Sequence, residues 1–182
     1  EVMVVIVATK APESLPSATK DLTSRLTEHF QEIKSLLWIE SDNQGDQFIA
    51  DKVTLLAGRD YIHERLNGFD YHLYYDTFFQ ANSKQAENMV SHAMEMADVN
   101  EEMRVLDLFC GIGTFSLPFA QKVKELVGIE LVEQSILSAK ENAKKAGLKN
   151  THFFASDARK GLEKLKETWV TPDLLILNPP RS

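Results

Sequence analysis

A short stretch with one acidic residue and two glycines is the best candidate for chemistry in this chain. It reads Asp107, Phe109, Gly111 and Gly113 in the pattern D-x-F-x-G-x-G, with Thr114 directly after. Glycine lets a backbone turn approach a ligand closely, and the N–H groups at the start of a following helix point at the same place. The stretch predicts a site for a nucleotide-like ligand, although an ordinary tight turn between a strand and a helix explains the same residues.

The charge of Asp107 separates two kinds of ligand. A pyrophosphate over the turn would meet a buried carboxylate at a large energetic cost, whereas a cationic ligand would be attracted. S-adenosylmethionine carries an ammonium and a sulfonium and has no phosphate. In addition, Ser116 stands where the dinucleotide pattern G-x-G-x-x-G has its third glycine. We therefore expect S-adenosylmethionine as the cofactor, with Asp107, Gly111 and Gly113 among the residues that bind it.

Two acidic residues further along the chain extend this candidate site. Glu130 ends an apolar run about 20 residues after the glycines, where an acidic side chain can accept both hydroxyls of a ribose. It also suits the entry to the next helix, where the helix dipole favours a negative charge. Asp157 follows a later apolar run, and it can bind an adenine amino group or cap the next helix. Both interpretations stay open for each residue.

The second half of the chain alternates strand and helix patterns, which places these residues. Strands are predicted at residues 105–108, 125–131, 151–155 and 173–177, with Asn178 after the last. This alternation predicts a doubly wound α/β fold, in which ligands bind beyond the carboxyl ends of the strands. We expect the sheet to be truncated after its fourth strand, which would leave residues 174–177 as an apolar edge through which two copies can dimerise.

The first half predicts a smaller α+β segment, a β meander packed by one helix. We expect strands at residues 1–8, 36–40, 47–56 and 61–66, and a helix from Ser17. The apolar residues of this segment recur at helical spacing and carry the predicted helix as far as Leu37. They are Leu22, Leu26, Phe30, Ile33 and Leu37.

The aromatic run at residues 69–79 is either a core strand or a surface on which bases stack. Asn82 or Ser83 is predicted to cap the next helix, with Gln85 three residues after Asn82 completing a capping box. That helix leads into the α/β fold, so the expected domains are residues 1–98 and 99–182.

Composition excludes several classes of protein. The 182 residues carry a net charge of −7, which argues against a self-sufficient nucleic-acid binder. The single cysteine, Cys110, excludes an internal disulfide and a Cys-rich metal site and fits a reducing, cytoplasmic setting. No metal site is predicted. Apolar runs stay well below the length of about 18 residues that a membrane span needs.

Five segments together resemble the S-adenosylmethionine-dependent RNA uracil-5-methyltransferases, which act on tRNA or ribosomal RNA. These segments are FFQANSKQAE (78–87), DLFCGIGTFSL (107–117), GIELV (128–132), ENAKKAG (141–147) and NPPR (178–181). The resemblance implies a class I (Rossmann-like) methyltransferase fold with S-adenosylmethionine as cofactor. By the pattern of the family, Gln80, Phe109, Glu130 and Asn178 bind the cofactor, with Thr114 and Asp157 as weaker candidates. Most relatives carry Asp where this chain has Asn178.

The resemblance also implies what is missing. Members of the family attack C6 of uracil with a cysteine in a later Ser-Cys-Asn-Pro segment, and a downstream glutamate removes the C5 proton. This sequence contains neither, and Cys110 in the glycine turn is a poor substitute. We expect the cofactor-binding part of an RNA (uracil-5-)-methyltransferase, with weak cofactor binding, no catalytic residue of its own, and an RNA substrate engaged through a longer protein.

Two other functions fit parts of the sequence. Asn-Pro-Pro followed by an aromatic residue is typical of amino-methyltransferases that act on adenine or a protein amide, but Arg181 takes the place of the aromatic. A non-catalytic module would keep the fold and lose the chemistry. Titration with S-adenosylhomocysteine separates such a module from the two enzymes.

Overall fold

The computed structural model describes residues 1–43, 50–169 and 171–179. Its contacts divide the chain into two units, Glu1–His63 and Glu64–Ser182. In these described ranges, no helix combines the length and the apolar character needed to cross a membrane.

The first unit is a three-stranded sheet with one long helix. Its elements are β1 (Val2–Ala8), a short 3-10 turn (Pro12–Ser14), α1 (Pro16–His29), β2 (Ile33–Glu40) and β3 (Lys52–Gly58). The order is β1-β2-β3, with β1 parallel and β3 antiparallel to the central strand β2. The first connection is therefore a β-α-β crossover, whereas the predicted meander would make these neighbours antiparallel.

The helical spacing predicted beyond Phe30 is wrong. Helix α1 ends at His29, and Ile33 and Leu37 belong to β2. Residues 35–39 of β2 are all buried, so side chains on both faces of this strand are shielded from solvent, and β1 and β3 pair with its two edges. A continuous apolar run contains residues four apart and so imitates a helix. Of the predicted strand at 47–56, residues 47–49 lie outside the described residues.

A hairpin follows, formed by β4 (Tyr61–Leu66) and β5 (Phe69–Tyr74). Asn67 and Gly68 form its turn, both with positive φ, as a two-residue hairpin loop requires. Phe69 and Tyr71 are buried, which supports the core-strand interpretation of the aromatic run, while Phe78 further along is 73% exposed.

The second unit contains the predicted α/β fold. Its further elements are α2 (Ser83–Met96), β6 (Arg104–Leu108), α3 (Ser116–Ala120), β7 (Glu125–Glu130), α4 (Glu133–Lys145), β8 (Thr151–Ala155), α5 (Ala158–Thr168) and β9 (Leu174–Leu177). The four strands β6 to β9 are parallel, in the order β8-β7-β6-β9. The prediction of a doubly wound parallel sheet is confirmed. The predicted cap of α2 is also present, since the Asn82 side chain accepts a hydrogen bond from Gln85 N.

The predicted boundary after residue 98 differs from the division seen in the contacts. Tyr71 of β5 and Val90 of α2 are buried in the same apolar cluster as Val105 of β6 and Leu126 of β7. The hairpin strand β5 and α2 thus share the core of the α/β sheet. A second cluster, Leu106, Leu108, Val127 and Ile129, lies against side chains of α5 and Trp169 on the other face.

Candidate functional site

The order of the strands defines where a ligand can bind in the second unit. From β6 the chain moves outward to β7 and then β8, and it returns to the other side of β6 with β9. In a doubly wound sheet, ligands bind at the carboxyl ends of the strands where the order reverses. Here that point lies between β6 and β9.

Four of the predicted site residues lie at or just after the carboxyl ends of these four strands. Phe109 comes directly after β6 and Asn178 directly after β9, while Glu130 ends β7 and Asp157 follows β8 by two residues. The sheet therefore brings them to one edge, in the order Asp157, Glu130, Phe109, Asn178. Arg181 stands where amino-methyltransferases have an aromatic residue after Asn-Pro-Pro, and it lies outside the described residues.

The loop after β6, residues 109–115, is called here the glycine loop. Three of its residues have positive φ, namely Phe109 (65°), Gly111 (53°) and Gly113 (90°). A Cβ built on Gly111 meets nothing within 4 Å, so this side of the loop is open to a ligand. Helix α3 begins at Ser116, because residues 111–115 form turns.

The N–H groups of the glycine loop are largely engaged within the protein. Phe109 N and Cys110 N donate to Ile129 O at 2.8 and 3.1 Å, and Gly113 N donates to Cys110 O at 2.9 Å. Gly111 N donates to the Glu130 carboxylate at 3.2 Å. These four amides are therefore paired already, and the loop does not present them as an anion cradle.

Glu130 fastens this loop to the start of α4. Its Oε1 accepts from Leu131 N at 2.7 Å and Val132 N at 3.0 Å, and its Oε2 accepts from Gly111 N. A carboxylate has about four lone-pair sites, two on each oxygen. One site on Oε2 is left for a ribose hydroxyl, and a second hydroxyl would have to displace one of the backbone groups.

Asp107 lies beneath the loop instead of facing a ligand. Its side chain is 1% exposed, and Ser116 Oγ donates to its Oδ2 at 2.6 Å. Burial raises the pKa of the Asp107 carboxyl to about 7; the Ser116 hydrogen bond lowers it and the charge of Glu130 raises it. The expectation of direct contact with the cofactor does not fit this position, and its influence on a ligand would act through the loop.

The remaining predicted residues are accessible to different degrees. Phe109 is 37% exposed, Thr114 and Gln80 are half-buried, and Asn178 and Asp157 are exposed. The capping interpretation of Asp157 is realised, since its Oδ1 accepts from the amides of residues 159 and 160. Neither bond uses Oδ2, which leaves that oxygen for a ligand donor.

Gln80 is linked to the glycine loop through its neighbours. The ring of Phe79 lies 5.9 Å from that of Tyr71, and the Tyr71 hydroxyl lies 3.5 Å from Gly113 O. Burial raises the pKa of Tyr71 far above its usual value, so its hydroxyl stays protonated and can donate. Sequence reasoning missed Tyr71 as a neighbour of this loop, because the aromatic run gave no indication of its partner.

Cys110 is poorly placed to act as a nucleophile. It is 6% exposed, and burial, with the charges of Asp107 and Glu130, raises the pKa of its thiol well above the usual value. The reactive form of cysteine is the thiolate. The prediction that Cys110 does not replace the missing catalytic cysteine agrees with this environment.

Comparison with known proteins gives this arrangement a family. The family model for tRNA (uracil-5-)-methyltransferase matches residues 23–167. The chain is 34% identical over its whole length to an uncharacterised RNA methyltransferase of Oceanobacillus iheyensis, of which it covers 39%. It is 35% identical over its whole length to one of Clostridium acetobutylicum, again covering 39%. The chain thus spans about two fifths of the length of these relatives.

A solved structure is similar over nearly the whole chain. It is the Pyrococcus abyssi tRNA (uracil-54, C5)-methyltransferase in complex with S-adenosyl-L-homocysteine, at a TM-score of 0.68 and 25% identity, covering 99% of this chain and 40% of that one. The order of the strands, the glycine loop with Glu130, and a family match over most of the chain agree, so the chain belongs to the tRNA (uracil-5-)-methyltransferase family, whose members are S-adenosylmethionine-dependent RNA methyltransferases.

Proposed function

We propose that this chain forms the S-adenosylmethionine-binding part of an RNA (uracil-5-)-methyltransferase that methylates C5 of a uridine in tRNA or ribosomal RNA. The supporting observation is the pairing of Gly111 N with the Glu130 carboxylate. A pyrophosphate at this turn would need that N–H group and would meet a negative charge. A phosphate-free cofactor meets neither obstacle.

The residues at the sheet edge suit the parts of this cofactor. Glu130 would accept a ribose hydroxyl through the open site on its Oε2, and Asp157 would accept from the adenine amino group through its Oδ2. The exposed part of the Phe109 ring, together with Gln80 and Asn178, would contact the rest of the molecule. When bound, the cofactor supplies an electrophilic methyl group on a sulfonium.

The proposal assigns no catalytic residue to these 182 residues. C5 of uracil becomes nucleophilic after a nucleophile adds at C6, and a buried cysteine with a raised pKa does not supply one. The RNA substrate would be held by the longer protein, which we place in the cytoplasm with its tRNA or ribosomal RNA. We expect this chain alone to bind cofactor and to transfer no methyl group.

A second part of the proposal concerns self-association of the 182-residue chain. Strand β9 pairs with β6 on one side and lies at the edge of the described sheet. Leu175 and Leu177 of β9 are 46% and 59% exposed. An apolar edge strand favours pairing with another chain, so we propose dimerisation through β9.

Cofactor binding can be tested with S-adenosylhomocysteine and a pair of matched variants. Isothermal titration should show binding to the unsubstituted chain and, for Glu130→Gln, an affinity about tenfold lower, the equivalent of one hydrogen bond to a charged group. Glu133→Gln removes the same charge three residues later, from an exposed side chain in the first turn of α4, and should leave the affinity unchanged. NAD as a second titrant should not bind.

Three results would contradict the proposal. They are an absence of heat and of thermal shift with S-adenosylhomocysteine, equal effects of Glu130→Gln and Glu133→Gln, and binding of NAD at the same site. The first would favour a non-catalytic module.

A further inference from the structure

A buried side-chain amide connects the glycine loop to two other elements of the second unit. Asn142 on α4 is 1% exposed. Its Nδ2 donates to Ile112 O in the glycine loop at 3.3 Å, and its Oδ1 accepts from His72 N of β5 at 3.3 Å. One side chain thus pairs two buried backbone groups that lie 30 and 70 residues away in sequence.

The two partners require one donor and one acceptor from the side chain at this position. A carbonyl oxygen needs a donor and a backbone N–H needs an acceptor, and among small side chains the Asn amide provides both in a fixed arrangement. An ionised Asp can accept from His72 N but cannot donate to Ile112 O, whereas Ala provides neither group. The identity of the partners also fixes the orientation of the amide.

Ile112 lies between the two glycines, where the loop needs support. Gly111 and Gly113 have positive φ, and glycine backbones are conformationally permissive. On one side, Ile129 O and the Glu130 carboxylate hold the first part of the loop. Asn142 of α4 binds the next part through Ile112 O, so hydrogen bonds from β7 and from α4 both hold the loop.

We infer that Asn142 is a positioning residue for the cofactor site: it holds the Ile112 carbonyl so that the open side of Gly111 faces the ligand. The cofactor part of this inference rests on the proposed function. The fastening of the loop does not, because it is a property of the ligand-free chain.

Hydrogen exchange of the ligand-free chain tests the fastening directly. In Asn142→Asp, measured at about pH 9 so that the introduced buried carboxyl is ionised, the amides of Gly111 and Gly113 should exchange about tenfold faster because local opening becomes easier. The His72 amide should stay protected by the introduced carboxylate. In Asn142→Ala, the His72 amide should become faster as well. Amides of β6 such as that of Leu106 should be unchanged in both variants.

Ser138→Ala is the matched control. Ser138 is 1% exposed one turn earlier on α4, and its hydroxyl donates to Gln134 O within the helix. The substitution removes a buried polar group from the same helix without touching the loop. It should leave the exchange of Gly111 and Gly113 unchanged.

Titration with S-adenosylhomocysteine tests the link to the cofactor. Both Asn142 variants should bind about tenfold more weakly, as expected for the loss of one hydrogen bond that orders the site, and Ser138→Ala should bind normally.

Two outcomes overturn the inference: unchanged exchange of the loop amides, or a uniform rise across all amides of the second unit, which would mean a purely structural role. Failure of the unsubstituted chain to bind S-adenosylhomocysteine, with faster loop exchange in the Asn142 variants, would overturn the proposed function and leave the fastening of the loop supported.

Discussion

At the scale of single residues, the buried carboxyl of Asp107 makes the stability of the fold depend on pH. Its carboxyl is buried, accepts a hydrogen bond from Ser116 Oγ, and has a pKa raised to about 7 by burial. The unfolded chain has its ordinary pKa of 3.8 at this residue. Between these two values the folded protein retains a proton that the unfolded chain has released.

This difference predicts a loss of stability as the pH rises. Asp107 favours folding fully below about pH 4, and its contribution declines until about pH 7, by up to about 4 kcal/mol for a shift of this size. Asp107→Asn removes the titration and keeps an oxygen that can accept from Ser116. The free energy of unfolding in urea, measured from pH 4 to 8, should therefore fall more steeply for the unsubstituted chain than for Asp107→Asn.

The control for this experiment is Asp70→Asn on β5, where the side chain is exposed. Its pH profile should follow that of the unsubstituted chain. Parallel pH profiles for Asp107→Asn and the unsubstituted chain would contradict a raised pKa of Asp107 in the folded protein.

The sequence predicted which residues lie at the carboxyl edge of the sheet better than it predicted where each side chain points. The glycines and Glu130 fall in the expected place because their spacing follows the local strand-turn-helix geometry. Asp107 is buried because β6 is covered on both faces, so a side chain near the end of this strand has no solvent-facing side. Asn142 was missed because its partners are distant in sequence. A polar residue beside the apolar stripe of α4 was the one available signal.

At the scale of elements, the glycine loop requires a left-handed backbone conformation at Gly113 and also a residue without a Cβ there, because Leu117 packs closely against it. Gly113 has a φ of 90°, and a Cβ there would overlap Leu117 Cδ1, which is fully buried. Gly147 at the end of α4 has a φ of 71°, and a Cβ there meets nothing within 4 Å. The two glycines share the positive φ and differ in the space around them.

Alanine substitutions at these glycines should therefore differ in cost. Gly147→Ala should lower the free energy of unfolding by about 1 kcal/mol, since it pays for the left-handed conformation alone. Gly113→Ala should lower it by about 3 kcal/mol, because overpacking adds to that term. Urea unfolding of both variants measures the difference. Equal losses would mean that Leu117 moves aside at little cost.

The elements of the second half were predicted well, and those of the first half less so. Strands β6 to β9 are short apolar runs separated by helices with clear stop signals, so local pattern was sufficient. In the first half, β2 is buried on both faces, and the sequence offers no period to distinguish such a strand from a helix. Its parallel pairing with β1 is a non-local contact that local pattern does not encode.

At the scale of the whole molecule, the division of the chain follows shared burial more than sequence composition. The predicted boundary at residues 98/99 lies next to a polar turn at residues 100–102, yet α2 before it packs in the same core as β6 after it. A polar loop marks a turn at the surface, and it separates two domains only when the cores on either side are separate as well.

The proposed dimer gives the last prediction, on the oligomeric state of the 182-residue chain. Leu177→Lys places a charge on the exposed edge strand β9, a substitution that natural edge strands use to prevent pairing. Sedimentation equilibrium should show a dimer for the unsubstituted chain and a shift toward monomer, by at least about tenfold in dissociation constant, for the variant, because burying an unpaired charge is costly. Leu137→Lys is the control, since Leu137 is 53% exposed on α4, away from the sheet edge, and should leave the dimer intact. A monomeric unsubstituted chain, or equal effects of the two lysines, would show that β9 does not mediate association.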